Sequence, residues 1–132
     1  MSKQAVENAA HQLFENYGAA FDALDAVRIA AFYHTPTITL RADGSIHCLQ
    51  STDMLEKFFQ RVADGYAAEG YRASRFRIVD VTPIGALSAL VTLDWDLLRG
   101  DGSLIRSWRQ SYNIVRTEGV WRIVVSTIHV RD

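Results

Sequence analysis

The sequence predicts an α+β domain in which three helices of the N-terminal half pack on a strongly curved, mixed or antiparallel sheet. Three observations carry this reading. Apolar residues recur at helical spacing only in the front half of the chain. From Tyr71 onward the pattern is that of strands, broken at Pro83-Ile84-Gly85, Gly100-Asp101-Gly102 and Glu118-Gly119. The last two breaks read as tight hairpins that gather Trp95, Trp108 and Tyr112 on one face of the sheet.

The elements follow in order. Val6, Ala10, Leu13, Phe14, Tyr17 and Phe21 form one stripe, which predicts a helix over residues 3–20 weakened near its end by Gly18. Asp22 or Asp25 can start a second helix ahead of Val27, Ala30 and Ala31, and Pro36 closes it by biasing Thr35 away from helical geometry. Thr37 to Ala42 alternates and is rich in β-branched residues, Asp43-Gly44 signals a hairpin, and Ser45 to Leu49 returns as its partner. Ser51-Thr52-Asp53 offers caps for a third helix, with Glu56 three residues after Asp53 and a stripe of Leu55, Phe58, Phe59, Val62 and Tyr66. A four-stranded meander completes the chain. No linker, repeat or low-complexity segment interrupts it, so residues 1–132 read as a single domain.

Two-residue turns at Asp101-Gly102 and Glu118-Gly119 fix the expected register. Leu97 then opposes Arg106, Trp95 opposes Trp108, Leu93 opposes Gln110 and Val91 opposes Tyr112, while Asp94 meets Arg109 on the other face. The opposed charges support that register, because a one-residue slip loses them. The second hairpin pairs Ile114 with Ile123, Tyr112 with Val125, Gln110 with Thr127 and Trp108 with His129. The run Leu87, Ala89, Val91, Leu93, Trp95, Leu97 requires cover, which the helical stripes supply. The reverse face mixes polar residues with Leu90, Val115, Val124, Ile128 and Val130 and suits a homodimer contact.

Composition excludes several classes. Fourteen Lys and Arg against fifteen Asp and Glu give a net charge of −1, which leaves no basic field for nucleic acid. No stretch approaches a membrane span and no export signal precedes the first helix, so the expected location is cytoplasmic. Cys48 stands alone, which rules out an internal disulfide and a cysteine metal cage. The chain has no H-x-H and no H-E-x-x-H spacing, so neither metal nor cofactor is expected.

The candidate chemistry is sparse. His129 falls on the aromatic face in the expected register, near Trp108, Gln110 and Thr127, where a neutral imidazole can act as general base with Tyr112 donating to an oxyanion. His47 shares a face with Leu40 and Leu49 if Asp43-Gly44 is a two-residue turn. His34 is placed to stabilise the end of the second helix, and His11 lies off the apolar stripe. Arg75 and Arg77 bracket Phe76, and the change of apolar parity between Phe76-Ile78 and Val79-Val81 marks a bulge. Such a bulge can turn an arginine, Arg77 in the pocket assignment, toward a carboxylate or enolate ligand. Asp94 and Asp96 share a face and read as surface ion-pair partners of Arg109 and Arg72. Tyr17, Phe21, Tyr33, Phe58, Phe59, Trp95, Trp108 and Trp121 complete an aromatic pocket with a few hydrogen-bonding handles.

The order of elements, with Phe21-Asp22-Ala23-Leu24-Asp25, Phe32-Tyr33, Met54 to Phe59 and the closing Gly119-Val120-Trp121-Arg122-Ile123, resembles the nuclear transport factor 2-like superfamily, closest to its SnoaL-like branch. The resemblance implies a cystatin-like cone with an internal pocket. It also implies a choice between isomerase, dehydratase, cyclase or hydrolase chemistry and non-catalytic binding or association. The isomerase-type acids are missing: Thr37 to Arg41 holds no carboxylate, and neither does the long strand Leu104 to Arg116. The expected function is therefore binding of a small apolar or aromatic molecule, with proton transfer by His129 and Tyr112 as its catalytic form. The alternative is a dimerisation or association module with a filled interior.

Overall fold

The computed structural model describes residues 2–130. Helix α1 spans Lys3–Asp22, with the Ser2 hydroxyl accepting from Ala5 N at 3.1 Å. Its buried stripe of Val6, Ala10, Leu13, Phe14 and Tyr17 is the one the spacing predicts. The helix continues through Gly18 to Asp22. Gly18 lies where α1 comes close to the sheet, and a Cβ there would stand 3.4 Å from Ser74 Oγ and 3.7 Å from the Trp95 ring.

Asp25 caps the short α2 (Ala26–Ala30), accepting from Arg28 N at 3.2 Å. This helix stops well before Pro36 because Tyr33 already belongs to β1 (Tyr33–Leu40), which pairs with the end of the chain. Long-range pairing thus outweighs the local helical pattern. Strand β2 is Ile46–Leu49, and α3 is Thr52–Ala68 with Ser51 as its cap. The meander is β3 (Tyr71–Ile84), β4 (Ser88–Arg99), β5 (Leu104–Thr117) and β6 (Val120–Ile128). The six strands form one open mixed sheet in the order β2-β1-β6-β5-β4-β3, with β1 parallel to β6 and every other pair antiparallel.

Turn geometry decides which side chains face the helices. The β4–β5 turn is a three-residue loop, with Arg99 N donating to Ser103 O and Gly102 at φ +85°. That loop alone would shift the register by one. An irregularity between Leu97 and Leu98 restores it, so Trp95 opposes Trp108, Val91 opposes Tyr112 and Asp94 opposes Arg109 as the charges require. The β5–β6 turn has two residues, Glu118 and Gly119, both at positive φ, and Ile114 meets Ile123 as expected. Beyond that pair β6 carries an extra residue, Val124. Tyr112 then opposes Ser126 instead of Val125, and Gln110 opposes Ile128 instead of Thr127. The bulge moves Ile128 to the helix-covered face and Thr127 and His129 to the other.

The β1–β2 turn is likewise a three-residue loop, closed by Arg41 N to Ser45 O at 2.9 Å with Gly44 at φ +84°. His47 consequently opposes Thr39 and not Leu40. The bulge foreseen in β3 is present between Ile78 and Asp80. The covered face of the sheet holds Ala89, Val91, Leu93, Trp95, Leu97, Tyr112, Ile114 and Ile123, all buried, whereas Leu87 lies in the β3–β4 loop and is exposed.

Candidate ligand cavity

Between the helices and the covered face lies a cavity in which nine of the fifteen lining residues are aromatic. Helix α1 supplies Tyr17 and Phe21, β1 supplies Tyr33 and leads into Arg41, and α3 supplies Phe59, Val62 and Tyr66. Tyr71, Ser74, Trp95, Leu97, Trp108, Gln110, Tyr112 and Ile128 come from the meander. The space between these atoms is about 480 Å³ counting its open mouth, of which only about 40 Å³ is roomy enough to centre a water molecule. The interior is a narrow slot.

Its polar groups are arranged in short relays. The Tyr17 and Tyr33 hydroxyls lie 2.5 Å apart, and Trp95 Nε1 donates to the Tyr112 hydroxyl at 2.8 Å. Trp108 Nε1 donates to Gln110 Oε1 at 2.9 Å. Because an indole N–H only donates, that contact orients the carboxamide and leaves Gln110 Nε2 as a donor with no hydrogen bond among the described residues. The Tyr71 hydroxyl donates to Asp22 Oδ1 at 2.5 Å, and Ser74 donates to the same oxygen from N at 2.9 Å and Oγ at 2.8 Å. Burial pushes the phenols of Tyr17, Tyr33, Tyr66, Tyr71 and Tyr112 above their ordinary value. At neutral pH they are hydrogen-bonding groups and not bases.

The residues expected to line a pocket divide sharply. Tyr17, Phe21, Phe59, Trp95, Trp108, Gln110 and Tyr112 line the cavity. Phe58 is buried outside it, with Arg41 at 5.5 Å and Arg61 at 6.0 Å from its ring, and His47 lies 5.5 Å from the same ring. Trp121 packs against the core without reaching the cavity. Thr127 opposes Ser111 on the outer face, flipped there by the Val124 bulge. His129 is flipped with it: its Nε2 sits 2.7 Å from Ser111 Oγ, away from Tyr112. Among the described residues no carboxylate or imidazole lines the cavity. His34 lies in β1 and bonds the Pro36 carbonyl at 3.1 Å instead of capping α2.

Arg77 also belongs to the outer face. It reaches Asp94 Oδ2 at 2.6 Å, Arg109 reaches the same carboxylate at 2.8 Å, and Arg75 pairs with Asp96 at 2.8 Å, so Arg75 and Arg77 fill the place assigned to Arg72. Arg109 and Arg77 hold the Asp94 carboxyl below its ordinary value, and Ser107 and Arg75 do the same for Asp96. A depressed folded-state pKa means stability that is present above the unfolded value near 3.8 and is lost as pH falls through the lower folded one. Urea midpoints measured from pH 6 to pH 2 should therefore fall most steeply below about pH 4. The double variant Asp94→Asn, Asp96→Asn should show a shallower fall; an unchanged slope contradicts the ion-pair assignment.

Val62, Tyr66, Tyr71, Ser74, Leu97, Ile128 and Arg41 also line the cavity although the sequence does not assign them there, and of these Arg41 carries a charge. Alternation was the available signal, since Thr37 and Thr39 are both buried on the covered face and Arg41 continues their parity.

Residues 7–131 match the family described as NTF2-like protein (DUF6841), and the chain belongs to that family. Solved structures show the same fold at low identity. A Nostoc punctiforme domain of unknown function with a cystatin-like fold is 16% identical, with a TM-score of 0.79, over 99% of this chain and 80% of the other. A ketosteroid isomerase-like protein from Erwinia carotovora atroseptica is 14% identical, with a TM-score of 0.69, over 94% and 96% of the two chains. A calcium/calmodulin-dependent protein kinase type II association domain, so described for Thiobacillus denitrificans, is 15% identical, with a TM-score of 0.73, over 91% and 93%. No curated protein matches the sequence. No helix among the described residues is long and apolar enough to cross a membrane.

Proposed function

We propose that this chain is a cytoplasmic, SnoaL-like binding protein that takes a small, flat, aromatic or apolar molecule into the slot between α1, α3 and the sheet. The observation that carries the reading is a cavity walled by rings yet holding an uncommitted donor, Gln110 Nε2. Apolar walls with a few placed polar groups are the usual composition of small-molecule sites. A slot this narrow favours a planar ring over a globular ligand. Proton transfer by His129 is not part of the proposal, because its imidazole lies on the outer face beside Ser111. The chemistry assigned to the cavity is hydrogen bonding by Gln110, Tyr112 and the Tyr17–Tyr33 pair.

Intrinsic fluorescence tests this directly, since Trp95 and Trp108 line the slot. Titration with 2-naphthol should quench it saturably. Val62→Phe, which fills the slot from α3, should weaken binding at least tenfold while leaving the far-ultraviolet circular dichroism unchanged. Equal, unsaturable quenching in both proteins contradicts the proposal.

The small free volume also favours a second reading, a homodimeric association module with a side-chain-filled interior. Its contact would be the outer face, where Leu90 is exposed beside the Arg75, Arg77, Asp94, Asp96 and Arg109 ladder. Under that reading sedimentation shows a dimer and 2-naphthol does not bind.

A further inference from the structure

The cavity has an electrostatic direction. Arg41 lines it at the end of β1, half-buried, and makes no ion pair among the described residues. Among the described residues its guanidinium makes one hydrogen bond, a long 3.5 Å contact from Nη1 to Thr39 Oγ1, an oxygen that already accepts from Ser126 Oγ at 2.9 Å. Stacking on Phe58 at 5.5 Å holds the guanidinium in place without neutralising it.

The other charged groups at the mouth are directed elsewhere. A groove shares Arg41, Tyr66, Trp108 and Ile128 with the cavity and adds Asp43 and Arg106. There Arg106 grips Glu69 through Nη1 at 2.7 Å and Nη2 at 3.2 Å. Asp43 turns back on its own loop and accepts from Ser45 N at 2.9 Å. Within the slot, burial raises the phenols of Tyr33, Tyr66 and Tyr112, and the positive charge of Arg41 partly offsets this at all three. Its field therefore reaches into the cavity.

We infer that the ligand is a planar aromatic or cyclic acid whose ring enters the aromatic slot and whose carboxylate or enolate is held by Arg41, with Gln110 Nε2 as a second donor. A guanidinium suits this task because its planar fork matches a carboxylate and stays charged at every accessible pH. A half-buried cation without a counter-ion gains most from such a partner, since the surrounding rings screen it less than water does. The inference rests on the cavity being a ligand site.

The test compares 2-naphthoate with 2-naphthol, which share a ring system and differ in charge, on wild type and Arg41→Met at neutral pH. The inference expects wild type to bind 2-naphthoate at least tenfold more tightly than 2-naphthol. Arg41→Met should lose that preference, and Arg41→Lys should restore only part of it. Binding of 2-naphthol with no preference for 2-naphthoate overturns the anion assignment and leaves the ligand site standing. A preference that survives in Arg41→Met overturns the role of Arg41. Failure of wild type to bind either compound overturns the ligand site, and this inference with it.

Discussion

Truncating Tyr112 to alanine should destabilise the fold by about 3–5 kcal/mol, the range for removing a large aromatic side chain from a closed core. Tyr112 is 2% exposed, its ring lies 4.7 Å from that of Phe14, and its hydroxyl accepts the Trp95 indole N–H. Tyr112→Phe separates the two contributions. It keeps the ring and strands the Trp95 donor, at a cost of about 1–3 kcal/mol. Trp95→Phe breaks the same bond from the other side, and the double variant should cost less than the sum of the two singles. Strict additivity in urea unfolding contradicts a direct bond between these side chains.

Asp22→Ala should cost about 2 kcal/mol, roughly what a hydrogen-bonded charged group contributes when its partners are left behind. One carboxylate oxygen ties the end of α1 to the start of β3 by accepting from Tyr71 and twice from Ser74. Tyr71 is 6% exposed, so its hydroxyl has little access to replacement water. Both Tyr71 and Ser74 line the cavity, and the loss should therefore appear in ligand binding as well as in stability. Asp22→Asn keeps an acceptor oxygen and should recover part of both. If Asp22→Ala unfolds at the wild-type urea concentration, the carboxylate is a solvated surface group and the tie between α1 and β3 is immaterial.

The architecture was legible because its signals are local or strongly redundant. The α1 and α3 stripes, the caps at Asp25 and Ser51 and the Asp94–Arg109 pairing each follow from side-chain chemistry at fixed spacing. The cavity was legible only in part, because its lining depends on single inserted residues. In Ile123-Val124-Val125 three adjacent apolar side chains give no alternation to show which one is extra. The added Val124 sends His129 and Thr127 outward and brings Ile128 in. At the β4–β5 hairpin a longer loop and a compensating irregularity cancel, so Trp95 opposes Trp108 just as a two-residue turn would pair them. Arg41 had a readable signal, the parity of Thr37 and Thr39. A two-residue turn at Asp43-Gly44, which puts Leu40 on the face of His47, hides that signal.

The indole resonances offer the most direct check on where a ligand sits, since each of the three tryptophans has a distinct place. Trp95 and Trp108 line the cavity with their N–H groups on Tyr112 and Gln110, whereas Trp121 packs elsewhere against the core. A titration of ¹⁵N-labelled protein with 2-naphthol, read at the assigned Nε1–H signals, should move Trp95 and Trp108 saturably and together while Trp121 stays in place. Movement of Trp121 alone, or three signals that never move, would contradict the cavity as the binding site.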